Sequence, residues 1–235
     1  TCALPIFLDH PAFSVPAERF EELAKKAGYT FPVKETYQIG FGKEWRPILS
    51  KIEAANPSYI TIWSIFPDDG FQFMSQFREY FDEGLNTQIF MNYLPAIPEF
   101  LQIAGDLGDG IIWNSTPLDM GTKASADLVK RWNKKFGKPW YSPFGLSAYD
   151  IVHLWAAAVK KAGCADCYAK VNKTIAKSEY KGVGGTYIFN QKDLTGQEGE
   201  WLLPVAWYQI QNGKHVGMAP KRFVTGQYQN PNWLK

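Results

Sequence analysis

The chain has 235 residues, 46% of them apolar and 20% charged, with a formal net charge of +2. That length supports one large domain or two small ones, and the apolar share supplies a real core. The basic residues are scattered, which removes the electrostatic footprint of a nucleic-acid binder, and no apolar run reaches the ~18 residues of a membrane span.

In chain order, Ala3–Asp9 reads as a short apolar strand despite Pro5. It feeds a loop, Asp9-His10-Pro11-Ala12-Phe13-Ser14, and a helix with Pro16 at its first position. Phe20, Leu23, Ala24 and Ala27 give that helix its stripe, and Gly28 ends it. Val33–Ile39 is the second strand. Gly40-Phe41-Gly42 turns into a helix whose face carries Trp45, Ile48, Leu49 and Ile52, with Pro47 tolerable only in the first turn.

The stretch from Asn56 to Thr116 organises the rest. It alternates strand and helix: a strand at Tyr59–Ile65, then a helix with Phe71, Met74, Phe77 and Phe81 on one face, stopped by Gly84. A strand at Thr87–Tyr93, a short helix at Ala96–Ala104 and a strand at Gly110–Ser115 follow. Such alternation predicts an α/β fold, a parallel Rossmann-like sheet with helices on its faces. Ligands of such sheets bind beyond the carboxyl ends of the strands. Trp63, Ser64, Phe66, Tyr93, Trp113 and Asn114 stand there.

Beyond Pro117 helices dominate. Thr122–Phe136 carries Ala124, Leu128 and Trp132 at four-residue spacing, and Pro139–Pro143 is an aromatic loop with Trp140 and Tyr141. Ser147–Ala162 is the longest helix, with Ile151, Leu154, Trp155, Ala158 and Val159 as its buried face. Asp166–Lys177 is a further helix, Thr186–Asn190 and Leu202–Gln211 are strands, and Asn212-Gly213 turns a hairpin into Lys214–Met218. The last seventeen residues read as a surface tail.

Cys164-Ala-Asp-Cys167 is a CxxC. A zinc site needs two further ligands at suitable spacing, and Cys2 and the three His do not supply them. The pair reads as a structural disulfide or as two thiols in a helix–helix turn. No metal or cofactor is expected. Asp9-His10 invites a hydrolase reading, but adjacent residues rarely orient one another and no nucleophile is fixed by spacing, so the chain is not expected to be an enzyme.

Several strings carry a family likeness: Asp9–Ala27; Ile52-Glu-Ala-Ala-Asn-Pro; Ile103-Ala-Gly-Asp-Leu-Gly-Asp-Gly; Ala148-Tyr-Asp with Lys160-Lys-Ala-Gly; Gly184-Gly-Thr-Tyr-Ile-Phe-Asn-Gln; and Gln209-Ile-Gln-Asn-Gly-Lys-His. In this order the chain resembles the type I periplasmic solute-binding proteins of ABC importers, in the leucine/isoleucine/valine-binding branch. The resemblance implies two lobes that close on a small ligand, a membrane permease as partner, no nucleic acid, and a bacterial periplasmic or membrane-anchored extracellular location. It assigns residues 1–115 to the second lobe, 116–201 to the carboxyl-terminal part of the first, and 202–235 to a return to the second and a tail. The amino-terminal part of the first lobe is expected to be a missing segment or a separate chain, and the leader with it. A ligand-sensing domain of a receptor or regulator shares this fold and is the alternative.

The resemblance also places ligand contacts. Phe13 occupies the position of a ligand-stacking ring, or else staples to Phe20. Ser64, Ile65 and Phe66 occupy a binding loop, with Trp63 adjacent. Tyr93 stands where amino-acid binders carry a carboxylate, which points away from a plain aliphatic amino acid toward an apolar, aromatic or ring-held cationic ligand. Trp113, Tyr149 and His10 complete the candidates, with core packing the competing reading for both tryptophans and for Tyr149.

Overall fold

The computed structural model describes residues 2–38, 44–137 and 143–234. The Gly40–Gly42 turn and the Trp140–Tyr141 loop fall outside them. The chain divides into two compact units, one of residues 1–114, 207–218 and 224–235, the other of residues 115–206 and 219–223.

The first unit is built on a sheet. Its strands are β1 (Ala3–Leu8), β2 (Glu35–Tyr37), β3 (Tyr59–Trp63), β4 (Gln88–Asn92), β5 (Ile112–Ser115), β8 (Ala206–Gln211) and β9 (Lys214–Ala219), in the order β2-β1-β3-β4-β5-β8-β9. The pairs β1–β2, β1–β3, β3–β4 and β4–β5 are parallel. The register fixes two faces, because side chains alternate along a strand. Leu4, Ile6, Leu8, Ile60, Ile62, Ile89, Met91 and Trp113 share one face, and Ala3, Phe7, Tyr59, Thr61, Trp63, Phe90, Asn92 and Asn114 share the other. β3 and β4 are apolar on the first face, while on the second the rings of Tyr59, Trp63 and Phe90 stand among the polar Thr61, Gln88 and Asn92.

Helices α2 (Arg46–Ala55), α3 (Pro67–Tyr80) and α4 (Pro98–Ala104) pack on the first face. Trp45, which caps α2, is fully buried between Tyr37 and Phe73, with ring centroids 5.0 and 5.3 Å away. Pro47 lies in the first turn of α2, where no helical hydrogen bond is lost. In α3, Met74 and Phe77 are buried, as the spacing requires, and Phe73 joins them; Phe71 is half-buried.

Helix α1 (Pro11–Lys26) lies on the second face, Phe20 meeting Trp63 at 5.8 Å. It starts five residues before the expected Pro16. The imidazole Nδ1 of His10 accepts from Ala12 N at 3.1 Å and caps the helix, Pro11 takes the first turn, and Pro16 is carried inside. Histidine is an uncommon cap, so the signal was easy to pass over.

The second unit holds α5 (Lys123–Phe136), α6 (Phe144–Ala162) and α7 (Tyr168–Ala176), with an antiparallel pair of β6 (Glu179–Lys181) and β7 (Thr186–Ile188). Thr122 and Ser125 form a reciprocal capping box on α5. Cys164 and Cys167 are disulfide-bonded between α6 and α7, beside a small core of Ala158, Ala162 and Val171. The buried face of α6 is Leu146, Asp150, Leu154, Ala158 and Ala162, whereas Ile151, Val152 and Trp155 are exposed, and so is Trp132 on α5. This corrects the expected stripes: on α6 the residues Ile151, Val152 and Trp155 form a second, exposed apolar face.

In the first unit Asn212 and Gly213, both at positive φ, turn the β8–β9 hairpin. The carboxyl-terminal tail is not loose. Trp233 is buried against Phe77, its indole N–H donates to Thr87 O at 3.0 Å, and Arg78 lies over its ring and bonds Asn232. One aromatic anchor outweighs the polar composition that suggested a surface tail.

Candidate functional site

The carboxyl ends of the parallel strands form a rim on the first unit. β1 delivers Asp9 and His10, β2 Tyr37, β3 Ser64 and Phe66, and β4 Tyr93. Tyr93 is 40% exposed and has φ 61°, ψ −29°. A non-glycine residue there costs about 1–2 kcal/mol, and such outliers concentrate at ligand clamps. Phe66 caps α3 and is 37% exposed. His10 and Asp9 are exposed, but they do not form a catalytic pair: His10 Nδ1 is used as a cap, and Asp9 accepts from Gln38 Nε2 at 2.7 Å.

Four candidates are less accessible than the sequence suggested. Trp113 is fully buried, stacked on Tyr208 at 4.6 Å and edge-on to His215 at 4.7 Å, because strand parity turns it to the covered face. It belongs to the core. Ser64 is fully buried too, and its hydroxyl donates to Asp69 Oδ2 at 2.9 Å while accepting from Phe66 N at 3.1 Å. Its side chain holds the loop that presents Phe66. Trp63 is 9% exposed, hydrogen-bonded to Thr61 Oγ1 at 3.1 Å and packed on Phe20 and Phe90. Phe13 is 6% exposed in the first turn of α1, with the His10 ring 6.3 Å away. In the second unit Tyr149 is half-buried. Its hydroxyl accepts from Arg131 Nη2 at 3.3 Å, the guanidinium stands over its ring, and His153 lies 4.3 Å away.

Asp69, in the first turn of α3, joins a network that spacing along the chain does not reveal. Asp69 Oδ2 accepts from both Ser64 Oγ and the buried Tyr37 hydroxyl, the latter at 3.2 Å. Burial pushes the Asp69 carboxyl above its usual value of 3.8, against the two hydroxyls that lower it. The folded state holds this proton more tightly than the unfolded chain does, so the group's contribution is complete below pH 3.8 and is lost as pH rises through its raised pKa. Asp69→Asn keeps one oxygen for both hydroxyls and removes the charge. Its expected stability at pH 7 is equal to or greater than that of the native protein, with this acid-range slope abolished, as read by urea unfolding at several pH values. A loss of more than about 2 kcal/mol at pH 7 would show instead that the ionised carboxylate holds the rim together.

Among the described residues no group of three or more His, Cys, Asp or Glu gathers to hold a metal ion, and no helix is long and apolar enough to cross a membrane.

An open, mainly parallel sheet with a polar and aromatic rim at its strand ends is an α/β lobe of the Rossmann-like kind. The periplasmic binding protein family matches residues 6–213, and the chain belongs to that family. A Leu/Ile/Val-binding protein homolog from Brucella abortus (strain 2308) is 26% identical over 162 residues, which are 68% of this chain and 42% of that protein. Among solved structures, a Silicibacter pomeroyi protein described as a branched-chain amino acid ABC transporter superposes with TM-score 0.84 at 20% identity, over 99% of this chain and 61% of its own. A solute-binding protein from Rhodopseudomonas palustris, solved with benzoate, gives TM-score 0.77 at 14% identity, over all of this chain and 61% of its own. The chain thus spans under half of that curated relative and about three-fifths of these structures.

Proposed function

We propose that the first unit is the second lobe of an extracytoplasmic solute-binding protein, and that residues 116–201 are the carboxyl-terminal part of its first lobe. The protein captures a small organic ligand between two lobes and presents it to an ABC permease in the membrane. The exposed second face of α6, with Ile151, Val152 and Trp155 at helical spacing, supports this division. An apolar stripe of that kind calls for a sheet, which residues outside 1–235 supply to complete the first lobe. A periplasmic or membrane-anchored extracellular setting suits the disulfide between Cys164 and Cys167.

The observation that carries the reading is Tyr93: an exposed ring, held in a costly backbone conformation at the carboxyl end of a central strand. With Phe66 and His10 it lines the rim. Ser64, Trp63 and Phe13 act there as supports of that edge. A ring in place of an acid favours an aromatic or apolar ligand, or a cation held over ring faces, over a plain aliphatic amino acid or a sugar. The benzoate found with the Rhodopseudomonas relative is of the first kind.

Thermal-shift screening against branched-chain amino acids, benzoate-like acids, quaternary ammonium compounds and sugars tests it. Stabilisation by an aromatic or cationic compound is the expected result. Tyr93→Gly is expected to raise the ligand-free stability by about 1 kcal/mol, since glycine adopts this backbone freely, while weakening the selected ligand at least about tenfold. Stabilisation by sugars alone, or unaltered affinity in the Tyr93 variant, would defeat the proposal.

A further inference from the structure

Along the chain basic and acidic residues intermingle, yet the fold sorts them. The second unit holds fifteen Lys and Arg against eight Asp and Glu, a net of +7, while the first holds ten against fifteen, a net of −5. The excess is densest on α5. Lys130, Arg131, Lys134 and Lys135 stand in its carboxyl-terminal half, and all four are exposed. Residues four apart lie one above the other on a helix. Lys130 and Lys134 therefore form one row, on the side away from the buried Leu128, and Arg131 and Lys135 form a second row beside it.

The only acid on this helix, Asp127, is paired with Lys123 at 2.6 Å. Among the described residues none of the four cations forms an ion pair. Arg131 lies over the Tyr149 ring and Lys135 over that of Phe136. An ordinary solvated helix face mixes both signs at spacings of three and four, as α1 does, where Arg19, Lys25 and Lys26 pair with Glu21 and Glu22. The face of α5 lacks that compensation, and its like charges repel one another.

Covering this face with further polypeptide would strip water from four cations and demands matched acids. A folded protein partner fits poorly as well, because lysine is depleted from protein interfaces and three of the four are lysines. A layer of anionic headgroups fits. It meets flexible point charges without a fixed geometry, and four or more Lys and Arg on an amphipathic helix are its usual counterpart.

We propose that α5 docks the protein on an anionic phospholipid surface through Lys130, Arg131, Lys134 and Lys135. The contact is peripheral and electrostatic. It goes beyond the ligand-binding reading and does not depend on it, since the rim belongs to the strand ends of the first unit.

The test sediments the full gene product with vesicles of phosphatidylcholine alone and of phosphatidylcholine mixed with phosphatidylglycerol. The ratio of the two affinities cancels any attachment that is blind to headgroup charge. At about 0.1 M salt the mixed vesicles are expected to bind at least about tenfold more tightly. The preference is expected to vanish at about 1 M, where the screening length falls to about 3 Å. Lys130→Glu with Lys134→Glu is expected to abolish it, and Lys130→Gln with Lys134→Gln to reduce it at least about tenfold. Lys25→Glu with Lys26→Glu on α1 changes the net charge as much as the α5 reversal and is expected to keep the preference within about twofold. Equal loss in the α1 and α5 reversals would show that net charge alone acts, and would overturn the proposal. So would binding indifferent to phosphatidylglycerol, or a preference that both α5 variants retain. Binding confined to vesicles that also carry the source cell's membrane proteins would mark a protein partner and overturn it too. No ligand enters any arm, so the ligand screen and this test fail independently.

Discussion

Asp150→Ala is expected to destabilise the second unit by about 3–4 kcal/mol. Asp150 lies in α6 and is fully buried. One carboxylate oxygen accepts from Val183 N at 2.8 Å and the other from Gly184 N at 2.7 Å, which ties the β6–β7 turn to the helix. Burial, reinforced by the nearby Asp150 charge, pushes the Tyr187 pKa upward. Alanine would leave two backbone donors without an acceptor in a site too close for repacking: a Cβ at Gly182 would already overlap the carboxylate. Asparagine offers one acceptor where two are needed and turns an amide donor toward a backbone N–H, so Asp150→Asn is expected to recover less than half of the loss. Urea unfolding, with hydrogen exchange at Val183 and Gly184, measures both. The control is Asp166→Ala at an exposed position, expected within ±0.5 kcal/mol. An Asp150→Ala cost below 1 kcal/mol would show that the turn holds without its anchor.

The second large effect is on acid stability. His215, in β9, sits between the rings of Trp113 and Tyr208, and its Nδ1 has no hydrogen-bond partner among the described residues. Burial pushes its pKa down from 6.5 to about 4. The folded state therefore holds the neutral imidazole, and the unfolded chain binds a proton first. Stability from this group is complete above pH 6.5 and is lost as pH falls toward 4, by about 3 kcal/mol in all. Asp69 acts in the opposite sense where the two ranges overlap, so the two variants separate the slopes. His215→Phe keeps an aromatic ring between Trp113 and Tyr208 and removes the titration. Its unfolding free energy is expected to lack this part of the acid loss between pH 6.5 and 4. An unchanged acid slope in that variant would place the sensitivity elsewhere.

Much of the first unit was legible because its elements are local. The strands at 59–65 and 87–93, the helix between them and the Asn212-Gly213 turn are set by alternation, spacing and turn chemistry within a few residues. The second unit was legible in position but not in orientation. Periodicity says that α6 has apolar residues at 151, 154, 155 and 158; it cannot say which of two apolar stripes meets a partner, and Asp150 was hidden among them as an ordinary polar residue. At the rim the difficulty is parity. Trp63 and Trp113 both stand in strands, and one residue of offset decides between the face that α1 covers and the sealed core on the other. Tyr93 was found by its place at a strand end, yet its left-handed backbone left no trace in the sequence. The Ser64–Asp69–Tyr37 network joins residues from two strands and a helix, which only the folded chain brings together.

The tail anchored by Trp233 bears on how the first unit is made. The indole closes on a carbonyl 146 residues earlier, and β8 completes the sheet at Gly110 and Ile111 from 99 residues further along. Both contacts wait for polypeptide synthesised long after the strands they finish, so loop-closure entropy delays the final step. Until residues 206–233 leave the ribosome the sheet has an open edge at β5, a row of unpaired backbone groups on which another strand could pair.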